Sequence, residues 1–332
     1  MTRQPTRARF PDFAPRSGGY ESFYVKAVAP DRSRAVWIRY TVHQRPHESP
    51  RGSMWFTWFD GAAEGPVASK VTVTTAPEAA PAGGLHIGEG VFGPGLLRGA
   101  APSDGLDVSW QLSYDAAVEP LWHLPREWMY AAPLPRTKLL SPAPETLLSG
   151  SVRLGDQSIE LDDWPAMVGH NWGTQHAERW IWLQGAVFDG RGHDTWLDVA
   201  LGRLRIGPFT TPWIANGALS VDGRRHRIGG IGKARATTVV ETPEGCEFTL
   251  PGAGVTVRGR VSARRQDLVG WVYADPDGSE HDTVNCSIAD LAVEVDLDGS
   301  PSLSLRAPGS ATYELGMREK DHGVTIQPFP DH

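Results

Sequence analysis

The chain has 332 residues and a formal net charge of −7, which argues against nucleic acid or an anionic membrane as partner, and its 40% hydrophobic and 21% charged residues mark a globular chain and exclude a disordered one. Cys246 and Cys286 are its only cysteines, too few for a disulfide framework, so a reducing, cytoplasmic setting is expected. No apolar run reaches the ~18 residues of a membrane span, and the Arg- and Pro-containing N-terminus has no apolar signal segment.

Residues 1–19 read as a loosely held arm. Strand patterns begin at Glu21–Val28 and Ala35–Val42, where Val36, Ile38, Tyr40 and Val42 alternate with Trp37, Arg39 and Thr41. Ser53–Asp60 is aromatic on both faces, as in a strand buried on two sides. Val67–Thr74 follows, and then Leu106–Tyr114, with the cleanest alternation in the chain. Val118–Pro135 is punctuated by Pro120, Pro125 and Pro133, which exclude a long helix. It reads as a loop with at most one helical turn, crossing the end of a barrel.

Further strands are expected at Ser151–Leu154, Trp180–Phe188, Thr195–Leu201, Ile214–Val221, Arg235–Glu241, Val255–Ala263, Asp267–Tyr273, Asp282–Ile288, Leu291–Leu297 and Thr312–Met317. Asp-Gly pairs at Asp60-Gly61, Asp104-Gly105, Asp189-Gly190, Asp222-Gly223, Asp277-Gly278 and Asp298-Gly299 favour hairpin turns between them. Short strands with turn signals and no amphipathic helix predict an all-β fold of two tandem antiparallel barrels. Residues 20–150 form one and 151–332 the other, divided at a Ser/Pro-rich segment.

The densest chemistry lies at Gly169-His170-Asn171-Trp172-Gly173 and in the stretch from His176 through Glu178 to Gln184. The first block reads as a Gly-bounded turn feeding the strand Trp180–Phe188. There Trp180, Trp182 and Gln184 share one face, and Ile181, Leu183 and Val187 form an aliphatic opposite face. A Gln pointing into an apolar interior needs partners, which a lined cavity or a structural network supplies. His170, His176 and Glu178 have no recognised metal-ligand spacing, and no metal is expected. There is no nucleophile elbow, phosphate loop or dinucleotide fingerprint. Arg224-Arg225-His226-Arg227 reads as a solvated edge.

The run His170-Asn171-Trp172-Gly173 followed by Trp180-Ile181-Trp182-Leu183-Gln184 resembles the signature of the tocopherol cyclase and hydroxyneurosporene synthase (carotenoid 1,2-hydratase) family. The blocks Glu21–Tyr24, Trp37–His43 and Ser53–Thr57 resemble bacterial relatives of that family. The resemblance implies two lipocalin-like barrels and a cofactor-independent reaction. An acid protonates an isoprenoid alkene, and water or an internal phenol captures the tertiary cation. This needs an apolar pocket, aromatic faces and a carboxylic acid kept protonated by desolvation. Candidate walls are Trp55, Trp110, Trp172, Trp180 and Trp182, with Asn171 and Gln184 as polar contacts. Candidate acids are Glu178, Asp198 and Glu89, with His170 or His176 orienting one of them; the bland alternative for Asp198 is a solvent-facing carboxylate. A hydrophobic small-molecule ligand follows, with no cofactor. A non-catalytic carrier and a pericyclase remain open.

Overall fold

Every residue of the strand Gly19–Val28 is buried, and so are most of Arg34–Gln44 and Arg51–Asp60. Alternation divides them between two cores. Phe23, Val25, Val36, Ile38, Tyr40 and Phe56 fill the interior of a first barrel. Tyr24, Val28, Trp37, Trp55 and Phe59 turn outward and pack with residues from the second half of the chain. The two-sided aromatic pattern at residues 51–60 thus records a barrel wall with a second barrel behind it.

The computed structural model describes residues 4–103 and 105–330. Asp104, and with it the expected Asp104-Gly105 turn, lies outside them. The protein is two tandem antiparallel β-barrels, each built from one strongly curled sheet. The first sheet has 12 strands and the second 10. At the centre of the first, Gly19–Val28 lies between Arg34–Gln44 and the long strand Gln157–Gly173, which in turn pairs with Thr137–Leu154. In the second, Arg179–Gly185 lies between Trp196–Arg203 and Leu303–Met317. A bridge between Ile228 and Gly252 draws the ends of the second sheet together.

Three sequence expectations are corrected. The Ser/Pro-rich segment near residue 150 is no linker: it lies inside the strand Thr137–Leu154, and the chain passes to the second sheet only between Gly173 and Arg179. Pro142 and Pro144 cannot donate to a ladder. The strand accommodates them through register shifts between Leu140 and Ala143 and between Ala143 and Thr146. Second, Gly169–Gly173 is strand, not turn. Third, the arm is held down from residue 4 onward. Ala8 and Phe10 join the first core, and the backbone N–H groups of Arg9 and Phe10 donate to the buried Glu21 carboxylate at 2.8 Å.

The segment 118–135 holds only a two-residue strand, Leu121–Trp122, and a 3₁₀ turn, Glu127–Tyr130, as its prolines predict. Arg225 and Arg227, expected as a solvated edge, instead donate to the backbone carbonyls of Glu119, Pro120, Trp122 and His123 and so strap this segment to the second barrel. Cys246 and Cys286 are free and buried. Among the described residues no helix is long and apolar enough to cross a membrane.

Candidate functional site

The two barrels touch through facing walls, and the space left between those walls is the site. On the strand Arg179–Gly185, Leu183 and Ile181 point into the second core. Trp180, Trp182 and Gln184 point the other way, toward the first barrel. Trp182 meets Tyr24 edge-on at 5.1 Å, and Gln184 Oε1 accepts from Lys26 Nζ at 3.2 Å. The face read from sequence as pointing into a barrel is therefore the face between barrels.

Two glycines shape this space. A Cβ at Gly169 would overlap the Tyr24 ring, and one at Gly316 would overlap the Trp180 indole. Each glycine lets an aromatic ring lie flat on the neighbouring strand. The result is a cavity of about 880 Å³ walled by Tyr24, Trp37, Trp180, Trp182 and Tyr273. The segment with Leu124, Trp128 and Met129 roofs it.

Glu314, unmarked in the sequence reading, lies in this wall. It is 8% exposed. Trp180 Nε1 donates to its Oε1 at 3.0 Å, while Tyr273 OH and Asn285 Nδ2 donate to Oε2 at 3.3 and 3.2 Å. It has no salt-bridge partner among the described residues. Tyr24 faces the same space. Burial, reinforced by the negative charge of Asp198, pushes its phenol well above the usual range, so it is a hydrogen-bond donor.

His176 also reaches the cavity. Its ring stacks on Tyr20 at 4.0 Å and on Trp180 at 5.2 Å. Nδ1–H and the backbone N–H both donate to Asp275 Oδ1 at 2.7 Å. Burial alone would raise the Asp275 carboxyl; the hydrogen bonds from His176 outweigh it and hold the group below the usual range. This is a histidine oriented by a carboxylate, the usual arrangement for proton transfer. His281 lies beside them with neither ring nitrogen hydrogen-bonded, and burial pushes it down to about 3. One donor atom from each of His176, Asp275 and His281 falls within 4.8 Å of the others. Among the described residues this group, and not the His170, His176 and Glu178 set weighed from sequence, has the spacing to hold a metal ion.

The remaining sequence candidates separate. Asp198 is fully buried, against the solvent-facing reading. Burial would raise its carboxyl, but His123, Ser141 and Trp182 together hold it low. Trp182 Nε1 donates to it at 3.1 Å, and His123 Nε2 lies at 3.3 Å. Asp198 thus anchors His123 of the roof. Glu178 sits at the cavity edge, ion-paired with Arg318 at 3.1 Å and Arg205 at 3.7 Å.

His170 faces the first core. It stacks on Phe23 at 3.9 Å and bonds Glu21 Oε1 at 2.7 Å and the Pro5 carbonyl at 3.0 Å. Trp172 shares that face, with the Arg9 guanidinium 4.9 Å from its ring. Asn171, of opposite parity on the strand, lines the cavity. Trp55 is buried behind the wall, its Nε1 donating to Thr41 at 2.9 Å. Trp110 belongs to the first core and, with Glu89, borders a separate open groove of about 640 Å³.

No family model matches the chain. Two uncharacterised proteins from strains of Mycobacterium tuberculosis are each 25% identical to it over 314 residues, covering 94% of this chain and 90% of theirs. Among solved structures, a protein provisionally assigned as an ATTH from Nitrosomonas europaea aligns with a TM-score of 0.56 at 12% identity, over 96% of this chain and 98% of that one. Kievitone hydratase from Nectria haematococca aligns with a TM-score of 0.54 at 10% identity, over 95% and 96%. At such identities the likeness is one of fold.

Proposed function

We propose that the protein binds an apolar, alkene-bearing small molecule of isoprenoid type in the inter-barrel cavity and adds water across its double bond. The observation that carries this reading is Glu314, a carboxyl set in an aromatic wall and held by an indole, a phenol and an amide. A similar fold in kievitone hydratase is consistent with it.

In this reading Glu314 hands its proton to one alkene carbon. The tertiary cation left on the other carbon is stabilised by the faces of Trp180, Trp182 and Tyr24. A water attacks that carbon while His176, oriented by Asp275, takes the water's proton. The proton passes to solvent and Glu314 is reprotonated, so the net change is addition of one water. Cyclisation uses the same first step with an internal hydroxyl in place of water. Glu314 replaces Glu178 and Asp198 as the acid, and His176 keeps a role.

The test is incubation with a panel of isoprenoid and prenylated phenolic alkenes in isotope-labelled water, read by mass spectrometry. Labelled alcohol from wild type but not from Glu314→Gln supports the reading. Binding without any new product leaves the carrier alternative and rejects the enzyme. Product formation undiminished in Glu314→Gln rejects the acid, as expected of a pericyclase.

A further inference from the structure

The mouth of the cavity carries an apolar surface that the proposed reaction does not use. Seven large hydrophobic side chains are exposed among the described residues; four of them, Trp128, Leu134, Ile206 and Ile231, line this opening, and a fifth, Phe209, pairs with Ile206. Trp128 (65% exposed) and Leu134 stand on the roof segment, and Ile231 on a 3₁₀ turn. Ile206 and Phe209 (75% exposed) pair at the tip of a two-stranded hairpin that stands apart from both main sheets. Scattered exposed hydrophobics are ordinary; a ring of them at one opening is not.

Charge at the same place is segregated. The rim segments carry Arg126, Arg136, Arg203, Arg205, Lys233 and Arg235 against Glu127, Glu119, which is paired with Arg225, and Glu178, which is paired with Arg318 and Arg205. The chain as a whole is negative at −7. Charges farther away than a Debye length of ~8–10 Å are screened at ordinary salt, so the rim meets a nearby surface as a positive patch.

We infer that this rim is a docking surface for an anionic phospholipid bilayer, which the protein touches peripherally to load an apolar ligand. Apolar tips on separate short elements insert at the headgroup boundary, and flanking Arg and Lys face the phosphates. The opening to the cavity then lies against the membrane, so a poorly soluble molecule passes inward without crossing water. The net charge counts against a global attraction and leaves this local one intact. This goes beyond the proposed reaction, because the surface serves a carrier equally well.

Flotation of the purified full-length protein with vesicles is the direct test. Vesicles of phosphatidylcholine mixed with phosphatidylglycerol should carry it upward, and phosphatidylcholine alone several-fold less. Added salt should weaken the association. The double variants Ile206→Ser/Phe209→Ser and Lys233→Glu/Arg235→Glu alter only exposed side chains and should each lose flotation several-fold with unchanged thermal melting. Equal flotation on both vesicle types, none on either, or wild-type flotation of both variants overturns the inference. So does a dimer in solution, measured by light scattering, that Ile206→Ser/Phe209→Ser dissociates, since a second copy would then cover this face. None of these readouts depends on turnover, so the proposed reaction can fail while the docking surface stands.

Discussion

Trp180 Nε1 donates to Glu314 Oε1 at 3.0 Å across two paired strands, in which Glu314 stands opposite Trp182 and diagonal to Trp180. The cavity's carboxyl is therefore held by the cavity's own wall. Glu314→Gln preserves shape and removes the transferable proton. Turnover should fall by ~10²–10⁴-fold, the usual contribution of a positioned acid, while ligand affinity read by tryptophan quenching changes far less. A parallel loss of affinity would show that Glu314 positions the ligand and does not protonate it.

His176 and Asp275 make a second, separable prediction. Asp275 orients the ring through the 2.7 Å bond to Nδ1. Asp275→Asn should lower turnover by ~10²-fold or more with little change in substrate affinity, since the ring loses its fixed tautomer. Extensive treatment with a chelator should leave turnover unchanged. Loss on chelation, with recovery on adding back one divalent ion, would instead make His176, Asp275 and His281 a metal centre.

The strands were legible where polar and apolar residues alternate. The two-barrel plan followed from strand spacing, Asp-Gly turns and a family resemblance. The longest strand missed was Gln157–Gly173, whose mixed sequence and interior Pro165 hide a strand that joins Thr137–Leu154 to Gly19–Val28 in the first barrel. The cavity wall at Trp180 and Trp182 was visible because two indoles and an amide share one parity. Glu314 and Asp275 were not, because each acts across space: one from a strand more than 100 residues away, the other beside a turn that looks like any Asp-rich hairpin. Gly169–Gly173 reads from sequence as a turn, which has no two faces; as strand it turns His170 and Trp172 toward the first core and Asn171 toward the cavity.

Gly169 tests how tightly the wall is built. A Cβ there would overlap the Tyr24 ring. Gly169→Ala should cost ~1–3 kcal/mol in denaturant unfolding, the usual penalty for overpacking, and push Tyr24 into the cavity. Ligand affinity should drop in the same variant. Unchanged stability and affinity would mean that Tyr24 swings aside freely and is no fixed part of the wall.

Lys26 gives a pH signature for the contact between barrels. It is fully buried, and its ammonium donates to the Ser310 carbonyl at 2.6 Å and to Gln184, with no carboxylate bound to it among the described residues. Burial lowers it from 10.5 to about 7. Between those values the unfolded chain binds the extra proton, so stability rises with pH from about 7 upward and is lowest below it. The slope from this one group is at most ~1.4 kcal/mol per pH unit. Near pH 9 the unfolded thiols begin to ionise, and burial of Cys246 and Cys286 turns the slope the other way. Urea unfolding at pH ~7 and ~8.5 should therefore show a more stable protein at the higher value, and Lys26→Met should flatten the difference. An equal rise in Lys26→Met would mean that Lys26 keeps its charge when folded, with water or main-chain carbonyls solvating it between the barrels.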